Sequence, residues 1–125
     1  MSLRKRATII VEMPNGILLV SHSRKSPPTF MLVGGGVRKN ERSILCAIRE
    51  LYEEKGLHTK KIEHLFDLDT QLHRHKVFLA RTNGRLRMRN EIRYIAFWNN
   101  KTKGKLKTAW HVKAVIRKYL LSKHC

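Results

Sequence analysis

Nine carboxylates stand against 27 lysines and arginines in this 125-residue chain, and four of the nine fall between positions 41 and 54. Glu50, Glu53 and Glu54 are spaced i, i+3, i+4, which on a helix gives them one shared face. Like charges at that spacing repel, and a divalent cation is the natural partner to offset the repulsion. Oxygen ligands without His or Cys favour a hard ion, Mg²⁺ or Mn²⁺. Such an ion neutralises phosphate charge and activates water for attack on phosphorus. The plainer alternative is a solvated acidic face paired with Arg and Lys.

The elements that must position these acids are readable on either side. Residues 43–55 carry Ile44, Ile48, Leu51 and Tyr52 at helical spacing, and Gly56 follows as a C-terminal cap. The glutamate face is expected opposite that apolar stripe. Upstream, the apolar run Phe30-Met31-Leu32-Val33 leads into Gly34-Gly35-Gly36, backbone with almost no side chain that suits a tight loop. Residues 7–11 and 17–20 are β-rich and flank Asn15-Gly16, a hairpin signal. Residues 62–68, 76–81 and 92–98 read as further strands, with a turn at Asn83-Gly84. Thr108 is placed to cap a last helix over residues 109–121, with Val112, Val115, Ile116, Tyr119 and Leu120 as its apolar stripe. Strands interleaved with two helices predict an α/β fold, one mixed sheet with a helix on each face.

The spacing around the glutamates is more telling than the glutamates alone. Gly35 is followed by five residues and Glu41. Seven more lead to Arg49-Glu50-Leu51, then Tyr52, Glu53-Glu54, Lys55 and Gly56-Leu57. This resembles the complete Nudix signature, over residues 35–57. A chance match to every fixed position is rarer than about one in a million. The resemblance implies an α/β/α sandwich spanning residues 1–125 as one domain, and Mg²⁺-dependent hydrolysis of a nucleoside diphosphate linked to another group. It implies the Gly34 carbonyl, Glu50, Glu53 and Glu54 as metal ligands, with Arg49 orienting the carboxylates and Glu41 pairing with Arg49. Glu53 or Glu50 would serve as general base. Glu91 is a further candidate for base or ligand, because similar proteins carry a glutamate ahead of a strand that ends near a tryptophan, here Trp98. The alternative for Glu91 is a surface acid paired with Arg89 or Arg93.

The chain departs from the family pattern at Val33, where proline is usual, and at Asn40, where glycine is frequent. Asparagine tolerates the left-handed conformation, so the turn at 40 can survive. Subfamily markers for diadenosine polyphosphate and ADP-ribose substrates are absent, since His73 and Leu72 occupy their positions. Nucleoside triphosphates or RNA 5′ ends remain as substrates, with a non-catalytic nucleotide- or RNA-binding module as the alternative of another class. The net charge of +18 fits any phosphate-bearing partner. Arg6 and Arg24, with Arg4, Lys5 and Lys25, could reach substrate phosphates; for each alone, a solvated surface charge is the alternative. His73 and His75 read as loop or substrate contacts ahead of a metal site. Cys46 reads as a small buried thiol, and Cys125 belongs to no disulfide framework. The short apolar runs exclude a membrane span, and no signal peptide is legible, so a cytoplasmic location is expected. Nothing in the sequence fixes the oligomeric state.

Overall fold

The computed structural model describes residues 3–87 and 92–123, and of Glu54 the backbone alone. The first strand, β1 (Arg4–Met13), shows why the centre of the chain reads as unbroken apolar sequence. Ala7, Ile9 and Val11 are buried towards one side and Ile10 towards the other, so the strand is covered on both faces. Then come β2 (Gly16–Ser21), β3 (Met31–Gly36), α1 (Ser43–Lys55), β4 (His58–Asp69), β5 (His73–Asn83), β6 (Tyr94–Trp98) and α2 (Trp110–Lys123). The six strands form one mixed sheet in the order β4-β5-β1-β3-β2-β6. β1 and β5 run parallel, and the other pairings are antiparallel.

Each helix closes one face. Cys46, Ala47 and Leu51 of α1 pack with Ile9, Val20 and Val33. Val112, Val115 and Ile116 of α2 pack with Ile10, Leu19 and Leu32. The expected α/β/α layering is therefore present. Apolar burial on the two faces of a shared sheet holds the layers together.

Several local expectations are corrected. The first hairpin turns on Pro14 and Asn15, because Met13 pairs with Gly16 across it. Proline's fixed φ suits the first central position of such a turn, and Gly16 opens β2 instead. Residues 34–36 are not a tight loop: they continue β3 and pair with Thr8, Ala7 and Arg6 of β1. β4 and β5 extend beyond the apolar windows 62–68 and 76–81, since their polar flanks join the antiparallel ladder without an apolar signature. β5 thus runs through Asn83, and the chain bends at Gly84. β6 begins at Tyr94, two residues later than expected. Thr108 does not cap α2: it bridges Phe30, and its buried Oγ1 has no hydrogen-bond partner. On α1, Tyr52 is half-exposed and packs on His58, while Cys46 and Ala47 take the buried positions.

Candidate active site

The geometry begins with the two glycines that let α1 approach the sheet. A Cβ on Gly34 would strike the Ala7 carbonyl oxygen, and one on Gly35 would strike the Glu50 carboxylate. Only bare backbone fits between β1 and the helix, so the glycines serve close approach. Asn40, the residue that departs from glycine, does take the left-handed conformation with φ 65°. Gly56 ends α1 at φ 67°, its N–H bonded to the Tyr52 carbonyl while the Leu57 N–H bonds the Leu51 carbonyl.

One arginine ties the acids together. Arg49 donates from Nε and Nη2 to the two oxygens of Glu41 at 2.8 and 3.0 Å. Its Nη1 reaches Glu50 Oε1 at 2.8 Å and Glu53 Oε2 at 3.4 Å. The planar fork explains why one cation can hold three carboxylates on two elements. The Arg38 backbone N–H adds a bond to Glu41 at 3.0 Å. Arg49 and that N–H hold the Glu41 carboxyl down at about 2. Glu41, with Arg38 first among the carboxyl's backbone partners, anchors the loop before the helix. The Cys46 thiol lies beneath, its Sγ 3.5 Å from the Gly36 carbonyl oxygen, and burial pushes it up to about 11.

Glu50 corrects the expectation of a glutamate face opposite the apolar stripe. Its side chain is buried against Gly35, at the border of the core-facing side, whereas Glu53 is substantially exposed. The Glu54 side chain and Glu91 lie outside the described residues. Among the described residues no group of three or more ligating side chains is already gathered as a metal site. What is present fits a hard cation in chemistry: carboxylate oxygens over a strand whose backbone is uncovered by side chains. Arg49 bonds one oxygen each of Glu50 and Glu53.

A second group of residues meets on the opposite face of the sheet. A cavity of about 220 Å³ is lined by Arg6, Met31, Thr70, His73, His75 and His111, with Ala109 and Trp110 at its α2 side. Arg6 pairs with Gly36 in the sheet, so this cavity adjoins the end of the glycine strand. The His75 Nδ1 lies 2.7 Å from the Thr8 hydroxyl, and its ring stacks on His111 with centroids 4.7 Å apart. The His111 Nε2 is buried with no hydrogen-bond partner. Burial, reinforced by Arg6 and the neighbouring histidines, depresses His75 to about 4 and His111 to about 3. Both rings are neutral at neutral pH and offer hydrogen-bonding edges without charge. Arg24 lies exposed between β2 and β3 and lines neither this cavity nor the Arg49 cluster.

His111 and Thr8 escaped the sequence reading. His111 is one polar residue opening an apolar helix, and Thr8 one hydroxyl inside an apolar strand; only the pairing of β1 with β5 joins them to His75. A larger hollow, about 830 Å³ between the β1–β2 hairpin and the turn after β6, contains none of the signature residues.

Comparison with known proteins agrees with this arrangement. The family model described as the NUDIX domain matches residues 2–118. A nudix hydrolase family member from Chromobacterium violaceum is 32% identical, with a TM-score of 0.84 over 95% of this chain and 77% of that one. MutT from Aliivibrio salmonicida and Vibrio cholerae shares the fold at 14% identity, with a TM-score of 0.79 over 97% of this chain and 99% of that one. A NUDIX-family hydrolase from Clostridium perfringens does so at 13% identity, with a TM-score of 0.75 over 94% and 96%. The search of curated proteins returned no match. With the signature helix, the glycine strand and the Arg49-centred carboxylates in one place, the chain belongs to the Nudix family of hydrolases acting on pyrophosphate bonds.

Proposed function

We propose that the protein cleaves the pyrophosphate bond of a nucleoside triphosphate-type substrate in the cytoplasm, with Mg²⁺ or Mn²⁺ as cofactor. The observation that carries this reading is the Glu50 carboxylate lying against Gly35 while Arg49 joins Glu41, Glu50 and Glu53. Glu50, Glu53 and Glu54 would hold the ion, with the Gly34 carbonyl and Glu91 as further ligands. When bound, such an ion offsets the charge of the diphosphate and lowers the pKa of a coordinated water.

The remaining work falls to the chain's own side chains. Arg49 fixes the direction of the carboxylates through charge-assisted hydrogen bonds. Glu53, the more exposed of the two described helix acids, takes the proton from the attacking water, with Glu50 and Glu91 as alternatives. Arg6, beside Gly36, counters phosphate charge. The histidine cavity receives the nucleobase: its neutral rings offer stacking and hydrogen bonding, and a base edge supplies the partner that His111 Nε2 lacks. Arg24 is assigned a weaker, solvent-screened attraction for phosphates.

Incubating the purified protein with a panel of nucleoside triphosphates and Mg²⁺, with a phosphate readout, tests the proposal. Release of a nucleoside monophosphate is expected. No turnover of any substrate at high enzyme concentration contradicts it. The net charge of +18 favours RNA 5′-end processing as the second reading. That reading fails if triphosphorylated RNA is cut no faster than free nucleoside triphosphate.

A further inference from the structure

The carboxylates are confined to one part of the chain. Residues 92–125 contain nine lysines and arginines and no aspartate or glutamate. They supply β6, the turn after it and α2. Lys101, Lys103, Lys105 and Lys107 alternate along the connection to α2, and all four are exposed. Lys113 and Arg117 stand one turn apart on the outer side of α2, also exposed. Glu12, which reaches α2 from β1, is held by Tyr119 and by Lys123 at 3.2 Å. Nothing acidic in this segment offsets its field.

Between the connection and α2 runs a cleft of about 570 Å³. Trp98, Ile116, Leu120 and Leu121 form its apolar lining, and Lys103, Lys113 and Arg117 rim it. Trp98 also borders the neighbouring hollow beside the hairpin. We infer that this surface docks a single-stranded polynucleotide. The cations track the phosphodiester chain, and an unstacked base enters the cleft against Trp98. An aromatic platform set in a basic groove is what sequence-tolerant single-strand binding requires. An anionic membrane also complements the charge. However, the apolar residues here line a cleft walled by cations, a recess that suits one planar base.

This inference goes beyond hydrolysis, and its test avoids it. The probe is a fluorescent 12-nucleotide oligouridylate with a 5′-hydroxyl, which offers no pyrophosphate bond, read by anisotropy across a salt series. We expect affinity to fall linearly on a log–log plot against salt. Replacing Lys103, Lys113 and Arg117 with Gln should weaken binding about tenfold or more. The same change should make the salt slope shallower by roughly two, at ~0.7 per lost phosphate contact on a single strand. Nucleoside triphosphate turnover should stay within about twofold, because none of the three lines the histidine cavity or bonds the α1 glutamates. A control replacing the exposed Lys60, Lys61 and Arg85 with Gln should leave the tenfold difference intact. The inference is overturned if the control weakens binding as much as the cleft variant, or if the oligonucleotide does not bind. It is also overturned if vesicles containing phosphatidylserine bind through the cleft residues and the oligonucleotide does not displace them.

Discussion

The two faces of the sheet manage polar groups in opposite ways. On the α1 face, three carboxylates share one guanidinium, with Glu41 down at about 2 and Arg49 raised through its bonds to Glu41. On the α2 face, histidines are kept neutral by burial, with His75 at about 4 and His111 at about 3. The first arrangement concentrates negative charge. The second sets flat, uncharged rings around a cavity. β1 and the glycine strand join the two, because Arg6 lines the histidine cavity while its sheet partner Gly36 adjoins the Gly35 that supports Glu50. A substrate with a charged half and an aromatic half matches that division.

Removing a carboxylate should break the α1 side most severely. Glu53→Gln keeps size and polarity but loses the base and a charge, and kcat should fall about 10³-fold in the nucleotide assay with little change in thermal midpoint. An undiminished kcat would point to Glu50 or Glu91 as the base, and Glu50→Gln separates these. Gly35→Ala strikes the same face through geometry alone. Its methyl group must displace the Glu50 carboxylate, so activity should fall about 10²-fold while circular dichroism still reports the native fold.

Arg49→Ala should act on stability as well as on turnover. It leaves Glu41 and the buried Glu50 without their shared partner, and chemical denaturation should show a loss on the order of 2 kcal/mol. Arg49→Lys should restore only part of it, because an ammonium cannot fork to three carboxylates.

On the α2 side the sharpening experiment is pH. Both histidines have folded-state values below their ordinary 6.5, so the unfolded chain binds more protons between about pH 3 and 6.5. Stability should be complete above that window and decline as pH falls through it. His111→Phe keeps a stacked ring without a titrating nitrogen and should flatten the decline in urea titrations across the range. A decline of equal steepness in the variant would show that the pair does not control it. The smallest effect belongs to Thr8→Val, which removes the hydroxyl holding His75 and should lower stability by about 1 kcal/mol.

These faces were not equally legible in the sequence. α1 was readable to its boundaries, because helical spacing, Gly56 and a contiguous motif carry the information locally. The pairing of Arg49 with Glu41 was implied by the family resemblance, and the structure shows Arg49 bonded to Glu41, Glu50 and Glu53. Burial of Glu50 was not legible, since it depends on how closely α1 meets residues 34–36. The α2 cavity was mostly hidden: Thr8, His75 and His111 are far apart in sequence and come together only through the parallel β1–β5 pairing and the docking of α2. Lys55 is a similar case. It is an ordinary spacer in the motif, yet its side chain is wholly buried at the last turn of α1.

The claim at the centre of this account is that the α1 acids and the bare glycine strand seat a hard dication for pyrophosphate cleavage. The most direct measurement follows nucleoside triphosphate cleavage by protein stripped with EDTA, before and after Mg²⁺ or Mn²⁺ is restored. Cleavage should vanish on chelation and return with either ion in the wild-type protein, but not in the Glu50→Gln, Glu53→Gln double variant. Undiminished cleavage in EDTA, or full recovery in the double variant, would contradict it.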